Sequence, residues 1–95
     1  MSELEYLARA YFHQDFDLDA PTAIDLVREF RQGETPEISG QLAREVEELL
    51  QTGDESAMRH EWINELGAYY EPDRRSGLTY REWFEKVLEV LREPR

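Results

Sequence analysis

The residues best suited to chemistry form a histidine-centred cluster near the N-terminus, Tyr11-Phe12-His13-Gln14-Asp15-Phe16. It combines aromatic rings with hydrogen-bonding side chains, and Asp15 could hold the imidazole of His13 in one tautomer. Catalysis would also need a nucleophile or an electrophile, and the neighbouring sequence offers neither. We therefore interpret the cluster first as a structural contact between the first two helices. Recognition is the second interpretation, and catalysis is a distant third.

The aspartates that follow, Asp15-x-Asp17-x-Asp19, begin like a calcium-binding loop. Such a loop needs glycine at its sixth position for a sharp turn and a bidentate glutamate at its twelfth. This chain has Ala20 and Leu26 at those two positions. The aspartates are therefore predicted to cap a helix or to lie in a solvated loop, and no metal site is predicted.

Other catalytic patterns are weak. The chain has no cysteine and two histidines, of which His60 lies between Arg59 and Glu61 on a predicted, solvated helix face. Zinc-binding HExxH, nucleophile-elbow and phosphate-loop motifs are not found. A glycosidase-type pair of acids would need a cleft, which a helical bundle of this length rarely has. We predict a non-enzymatic protein with no cofactor.

The elements that position these residues are helices, because apolar residues recur at helical spacing in five segments. Ser2 and Glu5 form a predicted capping box before a helix from about Glu3 to His13. The other helices are predicted as follows: a second capped by Asp19 or Thr22 and ending at Gly33, a third after Thr35-Pro36 (with Ser39 as another possible cap) ending at Gly53, a fourth from Asp54 to Gly67, and a fifth opened by a Thr79–Glu82 capping box. Residues 68–77 read as a loop. The prediction is a compact, all-α, single-domain bundle of about five short helices over residues 1–95.

The net charge of the chain restricts the kinds of partner that it can bind. The 95 residues carry a net charge of −11, which repels nucleic acid and anionic membranes and attracts basic proteins. No apolar run is long enough to span a membrane, and the acidic, amphipathic start MSELEYLARAYF does not fit a signal peptide. Together with the lack of cysteine, this predicts a cytoplasmic protein.

The histidine-centred cluster also resembles the YFHQD(W/F) signature of small bacterial immunity proteins of contact-dependent growth inhibition systems, the CdiI family. Two later stretches are similar at the level of pattern, namely Leu66-Gly67-x-x-Tyr70-x-Pro72 and Thr79-Tyr80-Arg81-Glu82-Trp83-Phe84. Phe16 replaces tryptophan and Phe84 replaces leucine, and both keep apolar bulk. The likeness covers most of the chain, with its specific part in the first six-residue stretch.

The resemblance implies a helical protein that stays in the cytoplasm and blocks the toxic domain of a large secreted effector. Many such toxic domains are nucleases, and some relatives are paired with a ribonuclease of the RNase A type. A nuclease presents positive charge to phosphate, so an acidic inhibitor can be steered onto that surface. We expect a monomer that forms a one-to-one complex with its toxin.

Partner contacts are expected at exposed tyrosines flanked by acids, since aromatic anchors carry much of the energy of interfaces. The candidates are Tyr69, Tyr70 and Tyr80 with Glu71 and Asp73, and a second acidic group of Asp15, Asp17 and Asp19. The alternative for the tyrosines is packing against Trp83, which we expect for at least one of them.

Two other functions remain open at this level. The first is an acidic adaptor or nucleic-acid mimic that binds a basic housekeeping protein, since the charge would serve it equally well. The second is a small enzyme or metal protein, which rests only on His13, His60 and the groups of acids.

Overall fold

Helices joined by short turns make up the part of the chain that the computed structural model describes, residues 2–13 and 22–93. The elements are α1 (Glu3–Tyr6, continuing as a π-helix over Leu7–Tyr11), α2 (Ala23–Gly33), α3 (Pro36–Thr52), α4 (Glu55–Arg59, continuing as a π-helix over His60–Glu65), α5 (Pro72–Arg75) and α6 (Tyr80–Leu91). These two ranges contain no strand, so the predicted all-helical class is confirmed. The predictions for Gln14, Asp15, Phe16, Asp17, Leu18 and Asp19 lie outside the described residues.

Side-chain caps start most of the helices, because the first backbone N–H groups of a helix have no partner within it. The side chains of Thr22, Thr35 and Asp54 each accept a hydrogen bond from a backbone N–H in the first turn that follows. Thr79 and Glu82 form the predicted reciprocal capping box at the start of α6. Ser39 is not a cap, since it lies buried inside α3, where Thr35-Pro36 has already started the helix.

The start of α1 differs from the prediction. Ser2 Oγ accepts from the backbone N–H of Glu5 at 3.0 Å, but the Glu5 carboxylate pairs with Arg9 at 3.2 Å instead of completing the box. Glu45 of α3 provides the missing cap, because its carboxylate accepts from the N–H groups of Glu3 and Leu4 at 3.1 and 3.0 Å. A cap from a distant helix cannot be seen in local sequence spacing.

Two details of the helices differ from the prediction. Helix α1 ends at Tyr11 instead of His13, because Phe12 turns the chain with φ −110° and ψ 43°. The predicted loop over 68–77 contains the short helix α5, giving six helices in the described residues where about five were expected. Pro72 starts that turn, and its carbonyl accepts from the N–H groups of Ser76 and Leu78 as Gly77 reverses the chain at φ +67°.

Helix α6 is the centre of the packing and contacts α2, α3, α4 and α5. Its Tyr80, Trp83, Phe84 and Val87 are all buried in one core, together with Trp62 of α4. This aromatic core lies directly beneath the segment that joins α4 to α5, which carries three of the candidate partner-binding residues.

Candidate partner-binding surface

Phe12 of the signature cluster belongs to the core. Its side chain is fully buried, and its ring centroid lies 5.4 Å from that of Trp62, 5.6 Å from Tyr70 and 5.5 Å from Trp83. The contacts to the two tryptophans are edge-to-face, the arrangement that aromatic pairs favour. These contacts support the structural interpretation of the cluster.

Tyr11 joins α1 to α2, as expected of a contact between the first two helices. Its ring lies 5.3 Å from Phe30 of α2 and 6.0 Å from Tyr6, centroid to centroid. The Tyr6 hydroxyl donates to the Glu34 carboxylate at 2.6 Å, and this bond, followed by burial, raises the pKa of Tyr6 to about 12. Burial also raises the pKa of Tyr11. Both hydroxyls therefore stay protonated at neutral pH, and that of Tyr6 is a structural donor.

The carbonyl of Phe12 fixes the segment after α4, because it accepts from the backbone N–H of Tyr69 at 2.9 Å. A second tie lies close by, where Arg9 Nε donates to the carbonyl of Leu66 at 3.3 Å. Between these ties Gly67 turns the chain at φ +74°, the left-handed end predicted for α4. The end of α1 thus sets the position of the residues around Tyr69.

Tyr69 is the exposed aromatic of this region, with 59% of its surface accessible, while its neighbours Ala68 and Tyr70 are buried. It lines a depression of about 340 Å³ together with Ile63, Gly67, Ala68 and Glu71, and we name this surface the Tyr69 face. An exposed tyrosine on a backbone held by hydrogen bonds is a suitable anchor for a partner, since little conformational freedom is lost when it is buried.

The exposure predicted for Tyr70 and Tyr80 is wrong. Each is only 2% accessible, and the ring of Tyr70 lies 4.7 Å from that of Trp83, which is the packing alternative expected for at least one of the tyrosines. The Tyr70 carbonyl accepts from Trp62 Nε1 at 2.9 Å, and its hydroxyl bonds Ser76 Oγ at 2.8 Å. Burial raises the pKa of both tyrosines. Tyr70 and Tyr80 therefore lie in the core beneath the Tyr69 face.

The acids of this region are balanced by arginines. Glu71 lies 3.4 Å from Arg74 and 4.0 Å from Arg59, measured between carboxylate oxygen and guanidinium nitrogen. Asp73 accepts from the backbone N–H of Arg74 at 3.0 Å and from the Tyr80 hydroxyl at 3.4 Å. The Tyr69 face and its surroundings together therefore carry little net charge, in contrast to the chain as a whole. Asp15, Asp17 and Asp19, the other predicted acidic group, lie outside the described residues.

A second depression gathers acids that the sequence analysis did not single out. It has a volume of about 220 Å³ and lies between the start of α1, the end of α3 and α4; we name it the glutamate groove, lined by Ser2, Leu4, Glu45, Glu48, Leu49, Thr52 and Glu61. Glu45 and Glu48 are three residues apart on α3, so their common face was visible in the sequence. The contribution of Glu61 was not, because it depends on how α4 packs.

The two histidines, the remaining candidates for catalysis or metal binding, do not lie in a common site. His60 is exposed, as predicted, and its Nε2 lies 3.0 Å from a Glu65 carboxylate oxygen. His13, at the end of α1, is half-buried. In residues 2–13 and 22–93, no three metal-ligating side chains come together. No helix of the described chain has the length and apolarity required to cross a bilayer.

In the described residues, the all-helical fold presents an anchored, exposed aromatic and an acidic groove, which are features of a protein-binding surface. Comparison with known families makes the class specific. The model of the CdiI immunity protein family matches residues 1–91, so the chain belongs to the CdiI immunity protein family.

A solved structure agrees on the fold. A chain in the crystal structure of the CdiA-CT/CdiI complex from Y. kristensenii 33638 is similar at a TM-score of 0.84 and 24% identity, covering 94% of this chain and 95% of that one. The likeness confirms the helical architecture. No curated protein matches the sequence.

Proposed function

We propose that this protein binds the toxic domain of a contact-dependent inhibition effector and neutralises it. The observation that carries the proposal is the family match over residues 1–91. The structural neighbour supports it, since that fold was crystallised in a CdiA-CT/CdiI complex. In this role the chain acts by occupying a surface and has no catalytic step of its own.

The net charge supports a basic toxic domain as the partner. At −11 the protein attracts a positively charged protein over a distance set by the Debye length, about 8 Å at physiological ionic strength. Nucleases are basic where they hold phosphate, so a nuclease domain, including a ribonuclease, fits this requirement. Fast capture matters because one free toxin molecule turns over many substrate molecules. The protein would act in the cytoplasm as a monomer in a one-to-one complex.

The Tyr69 face supplies the anchor in this proposal, since Tyr69 and Glu71 both line it, and Asp73 follows two residues after Glu71. Truncating an aromatic that anchors an interface typically costs about 2 kcal/mol or more, which corresponds to roughly thirtyfold in affinity. Tyr69→Ala should therefore weaken the complex without unfolding the protein. Tyr69→Phe is the matched control, because it keeps the ring and removes only the hydroxyl.

The test is co-expression of this chain with the toxic domain encoded beside it, followed by cell counts and size-exclusion chromatography with light scattering. Survival together with a one-to-one complex is the expected result. Cell death despite soluble expression of this chain would refute the proposal. Capture of several abundant basic proteins at physiological salt would instead favour an acidic adaptor.

A further inference from the structure

We propose that Trp62 is a positioning residue for toxin binding, because its indole and its backbone carbonyl hold the segment that presents Tyr69. The inference rests on the proposed function and deepens it, since it names a residue that sets the affinity without touching the toxin. Trp62 is fully buried, so it has no surface to offer a partner. Any effect of this residue on binding must therefore pass through the structure around it.

Residues 68–71, which we name the Tyr69 segment, belong to no helix. Their backbone groups lack the regular hydrogen bonds of a helix, and such a segment opens easily unless other groups bind it. The side chain of Tyr69 is exposed on this segment, and its direction depends on the peptide units on either side. The contacts that fix those peptide units therefore decide how well the ring is prepared for a partner.

Trp62 binds the Tyr69 segment on both sides of Tyr69. On the N-terminal side, its backbone carbonyl accepts a hydrogen bond from the N–H of Ala68 at 3.1 Å. On the C-terminal side, its Nε1 donates to the carbonyl of Tyr70 at 2.9 Å, and this bond is buried. The carbonyl of Phe12 adds a third contact, since it accepts from the N–H of Tyr69 at 2.9 Å. With both neighbours held, the backbone of Tyr69 has little freedom left to lose on binding.

The hydrogen bond of the Trp62 indole is the contact that a substitution can remove selectively. A buried carbonyl that loses its donor is unfavourable, so the chain should move until the carbonyl of Tyr70 finds water or another donor. This movement shifts or loosens Tyr69, which is the adjacent residue. Ordering a loosened side chain again on binding lowers the affinity by roughly two- to tenfold.

The part of α4 that carries Trp62 is a π-helical turn over His60–Glu65. At its end, the N–H of Leu66 donates to the carbonyl of Glu61, five residues earlier, at 2.9 Å. Such wide turns are rare in proteins and occur frequently at functional sites. This turn leads through Gly67 directly into the Tyr69 segment, which supports a role in presenting that segment.

Trp83 provides a matched control in the same core. It is 1% accessible, and its ring centroid lies 5.5 Å from that of Phe12 and 4.7 Å from that of Tyr70. Its Nε1, however, is buried without a hydrogen-bond partner in residues 2–13 and 22–93. Trp83→Phe therefore removes the same side-chain volume as Trp62→Phe, but it removes no hydrogen bond to the Tyr69 segment.

The experiment measures binding of the full-length protein to the purified toxic domain encoded beside it, by biolayer interferometry. Four variants are compared with wild type: Trp62→Phe, Trp83→Phe, Tyr69→Ala and the double variant Trp62→Phe/Tyr69→Ala. Urea unfolding, monitored by circular dichroism, establishes that each variant is folded under the conditions of the binding measurement.

Trp62→Phe should bind roughly fivefold more weakly than wild type, whereas Trp83→Phe should stay within about twofold. Because Trp62 acts through Tyr69, its substitution should have little further effect once Tyr69 is replaced by alanine, so the two losses should not add. Equal losses in the two tryptophan variants, or additive losses in the double variant, would overturn the inference while leaving the proposed function intact. Failure of the wild-type protein to bind would refute both.

A measurement on the wild-type protein keeps the inference testable even if Trp62→Phe does not fold. Hydrogen exchange of the Tyr69 backbone N–H and of the Trp62 indole N–H is followed by NMR. Both should exchange at least about a hundredfold more slowly than in an unfolded chain, because each is held in a hydrogen bond. Exchange of either group near the unfolded rate would show that the Tyr69 segment is not held, and would overturn the inference.

Discussion

Removing the ring of Phe12 should destabilise the whole protein. The side chain is fully buried between Trp62, Tyr70 and Trp83, and replacing a buried phenylalanine by alanine typically costs about 3–5 kcal/mol. A domain of this size has a free energy of unfolding of roughly 5–15 kcal/mol, so Phe12→Ala should lose about a fifth of it or more. The melting temperature should fall by roughly 12–40 °C, since 1 kcal/mol shifts it by about 4–8 °C in small domains.

The assay is unfolding in urea, monitored by tryptophan fluorescence, because Trp62 and Trp83 both contact Phe12 and both are buried. Phe12→Leu keeps most of the volume and should lose less than Phe12→Ala, which provides a folded variant for binding measurements. Tyr69→Ala, at an exposed position, should change stability by less than about 0.5 kcal/mol. The reasoning is refuted if Phe12→Ala loses less than about 1 kcal/mol, and a simultaneous loss of toxin binding would place the signature cluster in the interface.

Three further predictions follow from backbone and hydrogen-bond geometry. Gly67→Ala should lower the free energy of unfolding in urea by about 1–2 kcal/mol, because φ is +74° at this position. Nothing lies within 4 Å of the added Cβ, so backbone strain is the sole cause. The control is Gly40→Ala, inside α3, which should be neutral or stabilising. Glu45→Ala should cost about 1–2 kcal/mol because it removes the acceptor for two N–H groups of α1, whereas Glu48→Ala should be close to neutral, and equal effects would argue against the cap. The protonated form of Tyr6 contributes stability in full below pH 10.0, and this is lost as the pH rises towards its folded pKa of about 12; the stability of Tyr6→Phe, measured by urea unfolding, should therefore fall less steeply over that interval than that of wild type.

The helices could be predicted from the sequence because their signals are local. Thr22, Thr35, Asp54 and Thr79 each cap the helix that follows, and each lies directly before it. The left-handed end of α4 was equally visible in Gly67. Caps and turns depend on residues within a few positions of one another, so spacing alone identifies them.

The candidate surface was predicted less well, because exposure depends on packing between distant segments. Tyr69 and Tyr70 are adjacent and identical in type, yet one is 59% accessible and the other 2%. Trp83 and Phe12 pack against the Tyr70 ring, and Phe12 also accepts a hydrogen bond from the Tyr69 backbone. The glutamate groove was missed for the same reason, since Glu61 meets Glu48 only once α3 and α4 have packed.

The geometry separates the residues that set the fold from those that we propose meet the toxin. Phe12 holds the segment after α4 through its buried ring and its carbonyl. The Tyr69 side chain on this segment is exposed and is not part of the core. Glu45 likewise fixes α1, while Glu48 beside it is exposed and structurally unengaged in the described chain. If Tyr69 contacts the partner as proposed, a change there can therefore alter recognition without loss of stability. With this arrangement, the recognition surface can change while the fold is kept.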